Sequence, residues 1–455
     1  MSRGRQDRAQ DREIVRLAVP AFLALVAEPL FLLADAAIVG HLGTEELAGL
    51  GIAAVVLQTI VGLCVFLAYG TTASVARHLG AGDTRGALTQ GIDGMWLAVL
   101  IGVVATVLGV LLTGPLVGAF GAGPGVTDQA STYLRIALLG TTPLLVMLAS
   151  TGVLRGLQDT RTPLYVAVGG NALNVVLNLL LVYGVGLGIA GSAWGSVLAQ
   201  LASAAALAAV VVRGARRAGA SLRPDRAGIA ESARAGVALV IRTLTLRVAL
   251  LVTTYAVTIS ATTGRDQAVD LAAHQLAFTI WTFLAFVLDA IAIAAQALTG
   301  RYLGAGDVAG TRAVTNRMIG WGLWSGVVTG VLLAAASPVL GPLFTGDGEV
   351  HDRLVGVLLI AAAGQLVAGV VFVLDGVLIG AGDGRFLAWG GLVTLAAYAP
   401  TVLLCVAAGG GLLTVWIAFT VVFMGARLVV LLTRARGDAW LVTGLARPAR
   451  SPSRD

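Results

Sequence analysis

Apolar runs of 20 or more residues recur from one end of this 455-residue chain to the other. No other feature limits the possible folds so sharply. A run of that length crosses the hydrocarbon of a bilayer as a helix, and only helices and closed barrels satisfy their backbone there. The runs are continuous, not alternating, so the chain is predicted to be an all-α integral membrane protein. Composition supports this. Charged residues make up 12%, against about 25% in soluble domains. A soluble chain so poor in charge could not cover its own surface. Its 60 glycines suit membrane helices, whose backbones approach closely.

Twelve spans are expected: 14–40, 47–76, 92–113, 131–154, 162–184, 189–212, 236–262, 268–299, 316–343, 351–380, 385–408 and 411–433. The basic residues are all Arg, and they gather in alternate loops. Arg3, Arg5, Arg8, Arg12 and Arg16 precede the first span. Arg77, Arg85 and Arg161 follow the second and fourth. Arg213, Arg216, Arg217, Arg223, Arg226 and Arg234 fill the middle, and Arg301, Arg312, Arg317, Arg385, Arg434 and Arg436 continue the series. The opposite loops hold Glu45, Glu46, Asp128, Asp266, Asp270, Asp347 and Glu349, with Arg265 and Arg353 as exceptions. Positive loops stay on the cytoplasmic side. A multi-pass protein of the bacterial cytoplasmic membrane is expected, with both termini and the 213–235 segment in the cytoplasm. The net charge of +6 is thereby explained by the bilayer, and nucleic acid is not expected as a partner.

The second half repeats the first at a fixed offset of 224 residues. LAGLGIA at 47–53 answers LAAHQLA at 271–277, RHLGAGD at 77–83 answers RYLGAGD at 301–307, and LRGLQDTR at 154–161 answers LIGAGDGR at 378–385. The offset covers six spans, an even number, so the halves keep one orientation. Two parallel repeats with a site at their interface are expected: a lobe over 1–212, a cytoplasmic linker over 213–235 and a second lobe over 236–455. The GAGD segments read as tight turns whose Asp caps the next helix. Gly322, Gly326 and Gly330 mark a packing face in the ninth span.

Ionisable side chains inside a membrane are costly and functional by default. Glu28 and Asp35 lie in the first span, seven residues apart and so about 20° apart around an ideal helix. Pro29 between them allows a bend. Two acids on one face at different depths suit proton uptake and release; the alternative for Asp35 is a solvated position close to the outer surface, and for Glu28 a structural hydrogen bond. Asn171, Asn174 and Asn178 occupy the fifth span. The last two share a face, and Asn can donate to a carboxylate or accept from a carboxylic acid. Helix packing is their alternative role. Asp289 and Asp375 in the second half are expected either to pair with Arg242 or Arg247 or to couple to a cation. Gln275, Gln296, Gln365 and Tyr255 are candidates to line a cavity.

Enzymatic signatures do not occur. There is no HExxH and no GxSxG, and four scattered His make no metal cluster. The absence of Lys forbids a Walker A loop. GxGxxG at 186–191 joins two spans, so it does not read as a dinucleotide site. Cys64 and Cys405 both lie in apolar runs, which argues against a disulfide framework. No cofactor is expected.

ADAAIVGHLGTEELAGLGIA at 34–53 resembles the first-helix region of multidrug and toxic compound extrusion (MATE) transporters. LAAHQLAFTIWTFLAFVLDAIAIAAQALTGRYLGAGD at 271–307, LDGVLIGAGDGR at 374–385 and NALNVVLN at 171–178 also fit that family, in the branch named for DNA-damage-inducible protein F. The resemblance implies two six-helix lobes in a V-shaped bundle, alternating access, and export of amphipathic or cationic compounds driven by H⁺ or Na⁺, by a monomer. It maps Asp35 onto the family's first-helix proton-binding acid, Asn174 onto an Asn of helix 5, and Ser196 onto a small hydroxyl position of helix 6. Asp375 and Asp289 match acids of helices 10 and 8. Asn178 departs, because many prokaryotic relatives carry Asp there. That leaves Asp35 alone or moves a second role to Glu28. The reading is therefore an antiporter coupled to a cation, H⁺ first, with a lipid-linked precursor flippase as the alternative. The flippase wants a strongly basic cavity, and Arg residues within spans are few.

Overall fold

The computed structural model describes residues 3–261 and 264–445. The side chains of Arg3 and Arg5, and residues 446–455 of the expected second lobe, lie outside the described residues. Among the described residues, twelve helices are long and apolar enough to cross a membrane. In chain order they are α1 (Gln10–Gly40), α2 (Thr44–Gly80), α3 (Thr84–Leu111), α4 (Pro124–Gly156), α5 (Arg161–Gly184), α6 (Ile189–Arg217), α7 (Arg226–Ser260), α8 (Gly264–Gly304), α9 (Val308–Phe344), α10 (Gly348–Gly380), α11 (Gly384–Ala407) and α12 (Leu412–Arg436). The all-α class expected from the apolar runs is what the chain adopts.

The helices extend beyond their apolar cores. α6 runs to Arg217 and α7 starts at Arg226, so most of the segment read as a 213–235 linker is helical. Hydropathy marks where hydrocarbon stops, whereas a helix continues into water while its backbone bonds remain satisfied. What remains of the connector is tied down. Trp96 Nε1 donates to the Leu222 carbonyl at 3.1 Å, and the Asp225 amide donates to Asp93 at 3.0 Å. The two basic exceptions on the acidic face are neutralised locally. Arg353 meets Asp270 at 2.9 Å, and Arg265 meets Glu349 at 3.1 Å.

The chain forms two compact units, one of Val19–Gly236 and one of Met1–Ala18 with Val237–Asp455. The boundary thus falls inside α1, beside Pro20, and not at the start of the chain. In the second unit Asp11 of α1 accepts from Arg317 Nε at 2.7 Å and from Trp321 Nε1 at 2.8 Å, and Glu13 meets Arg301 at 2.7 Å.

Within each unit the repeat is visible as packing. Gly152 and Gly156 of α4 lie against the backbone of Ala68 and Thr72 of α2. At the same offset, Gly376 and Gly380 of α10 lie against Ala292 and Gln296 of α8. Gly102 of α3 lies on Thr142 of α4, and Gly326 of α9 on Gln365 and Leu366 of α10. A Cβ at Gly326 would run into the Gln365 carbonyl, so the expected glycine face does pack one backbone on another.

The turns repeat as well. Gly82, Gly306 and Gly382 have φ of +77°, +75° and +74°. In each turn the following Asp amide closes back onto a helix carbonyl, at 3.0 Å in all three cases. Asp83 and Asp307 then cap the next helix by accepting from the Gly86 and Gly310 amides at 2.7 Å. The fourth member of the set carries Gln158 at φ +64°, where its counterpart has Gly382.

Candidate functional site

The first unit holds a buried carboxylate enclosed by donors. α1 carries Asp35, which is 3% exposed. Its Oδ1 accepts from Ser192 Oγ of α6 at 2.5 Å and from Asn178 Nδ2 of α5 at 2.8 Å. Its Oδ2 accepts from Tyr133 OH of α4 at 3.1 Å. Four helices therefore meet at one side chain. Behind the first partners runs a polar chain: Asn178 Nδ2 also reaches Asn174 Oδ1 at 3.1 Å, and Asn174 Nδ2 donates to Ser196 Oγ at 3.0 Å. Asn178 Oδ1 is buried without a hydrogen-bond partner and presses on Gly195, where any Cβ would collide with it.

Apolar packing seals the cluster. Val39, Leu50, Ala53, Val56, Leu134, Ile189 and Ala193 form one core with Tyr133. A charge in such surroundings is tolerated only when hydrogen-bonded, and three donors supply that. The backbone of α1 is held on both sides of Asp35. Asn171 Nδ2 donates to the Ala27 carbonyl at 2.7 Å, two residues before Pro29, and Tyr183 OH donates to the Ile38 carbonyl at 2.7 Å.

Asp35, Asn174, Asn178 and Ser196 are thus assembled in one network, with Asn171 beside it. Glu28 is not part of it, because its side chain is exposed. Tyr133 and Ser192 escaped the sequence reading. The usable signal was Ser192 standing one turn before Ser196, on the same face of α6.

Among the second-half candidates, Asp375 and Arg242 are brought together. Asp375 of α10 is paired with Arg242 of α7 and, at 3.4 Å, with Arg427 of α12. Arg427 also escaped the sequence reading. Arg247 is exposed and Asp289 half-buried. Gln296 is buried, with its backbone against Gly380 in the α8–α10 contact, while Gln275 and Tyr255 are exposed. His274 is buried with Nε2 on Thr254 Oγ1 at 3.0 Å, its ring against Trp416 and Phe278. Among the described residues no group of three or more His, Cys, Asp and Glu is placed to hold a metal ion.

Comparison with known proteins places this architecture. The sequence profile of the MatE family matches twice, over residues 20–180 and 245–403, once in each repeat. The chain belongs to the MATE family. Protein DETOXIFICATION 44, chloroplastic, from Arabidopsis thaliana is 32% identical over 429 residues, covering 92% of this chain and 80% of the plant protein. A probable multidrug resistance protein NorM from Thermotoga maritima is 26% identical, covering 75% of this chain and 74% of NorM. DNA damage-inducible protein F of Escherichia coli is 29% identical, covering 66% and 65%. Among solved structures, the bent form of the Vibrio cholerae MATE transporter VcmN aligns with a TM-score of 0.86 at 21% identity, over 94% of this chain and 97% of VcmN. That likeness speaks for the fold. This MATE protein is accordingly a multi-pass membrane transporter, not an enzyme.

Proposed function

We propose that this MATE protein exports amphipathic or cationic small molecules across the cytoplasmic membrane of a bacterium. Inward movement of protons would drive it by alternating access, with both termini in the cytoplasm. The observation that carries the proposal is the buried Asp35 carboxylate with donors from α4, α5 and α6 converging on it. Names among the relatives, multidrug resistance above all, support the substrate class.

The donors favour a proton over Na⁺ as the driving ion. Three hydrogens already point at the carboxylate oxygens. A metal ion would have to displace them and find several replacement oxygens, whereas a proton needs one lone pair. Protonation removes the charge that attracts the donors, and hydrogen bonds to a neutral acceptor are weaker than charge-assisted ones. Asn178 is suited to both states. It donates Nδ2 to the carboxylate, and its otherwise unmatched Oδ1 can turn to accept the proton of the acid. With the donors loosened, α1 is free to repack around Pro20 and Pro29, and substrate release would follow.

The test is dye efflux in proteoliposomes under an imposed pH gradient, with and without Na⁺. Transport that needs the pH gradient and is lost in Asp35→Asn supports the proposal. Transport that follows Na⁺, or survives the substitution, refutes it.

A further inference from the structure

The arginines on the basic side of the two units are matched differently. In the second unit Arg301 meets Glu13, Arg312 meets Asp438, Arg317 meets Asp11 and Arg434 meets Asp383. The first unit carries six arginines against two acids between residues 213 and 235. Arg213, Arg216, Arg217, Arg223, Arg226 and Arg234 are all exposed, and among the described residues none of the six forms an ion pair. The two acids do not neutralise them. Asp225 faces the amides of Ala227 and Gly228 at 3.2 and 3.3 Å, and Glu231 is exposed and pairs with none of the six. Arg226 opens α7, where the helix dipole disfavours a cation, and no acid stands in that first turn. Membrane topology requires only that arginines lie on this side. It is satisfied equally by paired ones, as the second unit shows, so the unmatched charge of the first unit needs another reason.

The backbone holds this charge at the depth of the headgroups. α6 ends in a tight turn at Gly219, with φ of +66°, and the Ala220 amide closes onto the Ala215 carbonyl at 2.8 Å. The connector over 218–225 then lies along α3 instead of extending into water. Trp96, Asp93 and Gln90 of α3 bind Leu222, Asp225 and Ser232 at 3.1, 3.0 and 3.0 Å. Tryptophan settles where hydrocarbon meets headgroups, and Trp96 is 40% exposed. Arg223 follows Leu222 and Arg226 follows Asp225, so both are fixed beside that ring's level. Val210, one turn before Arg213, adds exposed apolar surface. We propose that the α6–α7 connector is a docking surface for anionic phospholipid headgroups, gripped by Arg216, Arg217, Arg223 and Arg226. Guanidinium forks match phosphate oxygens, and arginines clustered just outside a membrane helix attract anionic lipids. The inference is independent of which cation drives transport.

The full-length protein in dodecyl maltoside is titrated with dioleoylphosphatidylglycerol or dioleoylphosphatidylcholine, and bound lipid is counted by native mass spectrometry. The two lipids share tails and a phosphate, and only the first carries a net charge. The wild type should retain phosphatidylglycerol in preference. Two variants with equal loss of charge then locate the site. Arg223→Gln/Arg226→Gln should weaken phosphatidylglycerol binding about 25-fold, about fivefold per arginine. Arg385→Gln/Arg436→Gln, which removes two exposed arginines of the second unit, should leave it near the wild-type value. None of these four side chains forms an ion pair among the described residues, so both variants should keep the wild-type unfolding midpoint in detergent. Arg223→Lys/Arg226→Lys keeps the charges and should retain most of the binding. Sodium phosphate should displace the lipid no better than sodium chloride at equal ionic strength; selective displacement by phosphate assigns the surface to a free anion and refutes lipid docking. No preference for phosphatidylglycerol, an unchanged affinity in Arg223→Gln/Arg226→Gln, or equal losses in the two glutamine variants also overturns the site.

Discussion

The two halves of this protein share a scaffold and differ in their buried chemistry. The glycine contacts of α2 with α4 recur between α8 and α10, and those of α3 with α4 recur between α9 and α10. The polar interiors do not recur. At the 224-residue offset, the positions of Asp35, Tyr133, Asn178 and Ser192 become Ile259, Val357, Val402 and Trp416. Conversely, Arg242, Asp375 and Arg427 correspond to Ala18, Thr151 and Ser203. Around His274, Trp416, Phe419, Phe423 and Tyr398 the second half is instead aromatic. Backbone approach tolerates almost no change, because interiors are close-packed and a single Cβ is felt. Side chains within the same frame diverge as long as each buried charge keeps its partners. One half is left with an acid caged by neutral donors, which can lose or gain a proton without breaking an ion pair. The other holds an acid locked between two cations.

That contrast predicts opposite responses to the same chemical change. Asp35→Asn should reduce pH-driven efflux to the level of empty vesicles while the thermal unfolding midpoint stays near that of the wild type, because Asn still accepts a hydrogen bond. Asp375→Asn should do the reverse. It strands the buried Arg427 guanidinium, and breaking a buried ion pair costs about 3–5 kcal/mol. The expected result is a large fall in thermal stability, partly recovered by adding Arg427→Gln. Equal effects of the two variants on transport and stability would end the distinction. Within the cage, Tyr133→Phe removes one donor to a charge, a contact worth about 1.5–3 kcal/mol. Efflux should slow at fixed pH gradient without being abolished.

Much of this was legible in the sequence, and the limits are physical. Span number and the duplication follow from long apolar runs and a gapless register, both of which the bilayer enforces. Asp35 was legible because a carboxylate in hydrocarbon needs a reason. Its environment was not. Helical geometry puts Glu28 and Asp35 on one face, yet says nothing about which neighbours cover that face at each depth, and only Asp35 is covered. Tyr133 and Ser192 carry no charge, and single hydroxyls are common in membrane helices, so their convergence on Asp35 appears only in three dimensions. Arg427 lies close to the basic end of α12, where any Arg reads as a topology signal, and its burial against Asp375 has no sequence signature.

Smaller effects test whether the shared scaffold is energetically equivalent in the two halves. Gly102→Val and Gly326→Val each force a side chain into a neighbouring helix backbone, and overpacking of this kind costs about 1–3 kcal/mol. The two losses in thermal stability should match. Asp83 outside the membrane offers a pH test. The Gly86 amide, and secondarily His78, hold its carboxyl below the ordinary Asp range. A depressed value means its stabilisation is present above the unfolded pKa and is lost as pH falls through the folded one. Asp83→Ala, which removes a helix cap worth about 1 kcal/mol, should therefore matter at neutral pH and cease to matter in strong acid.

The smallest effect concerns the one turn where the repeat breaks its own rule. Gln158 sits at φ +64° where Gly382 sits at +74°. The left-handed region crowds a Cβ against the following carbonyl at about 1–2 kcal/mol for an ordinary residue, and glycine avoids that cost. The Asp159 amide nonetheless closes the turn onto the Leu154 carbonyl at 2.8 Å, as Asp383 closes onto Leu378 at 3.0 Å. Gln158→Gly should thus raise the unfolding midpoint slightly, offset in part by the larger unfolded-state entropy of glycine. Gly382→Gln should lower it by a comparable amount. If Gln158→Gly is instead destabilising, the Gln158 side chain contributes contacts that outweigh its strained backbone, and the two turns are equivalent in shape but not in what stabilises them.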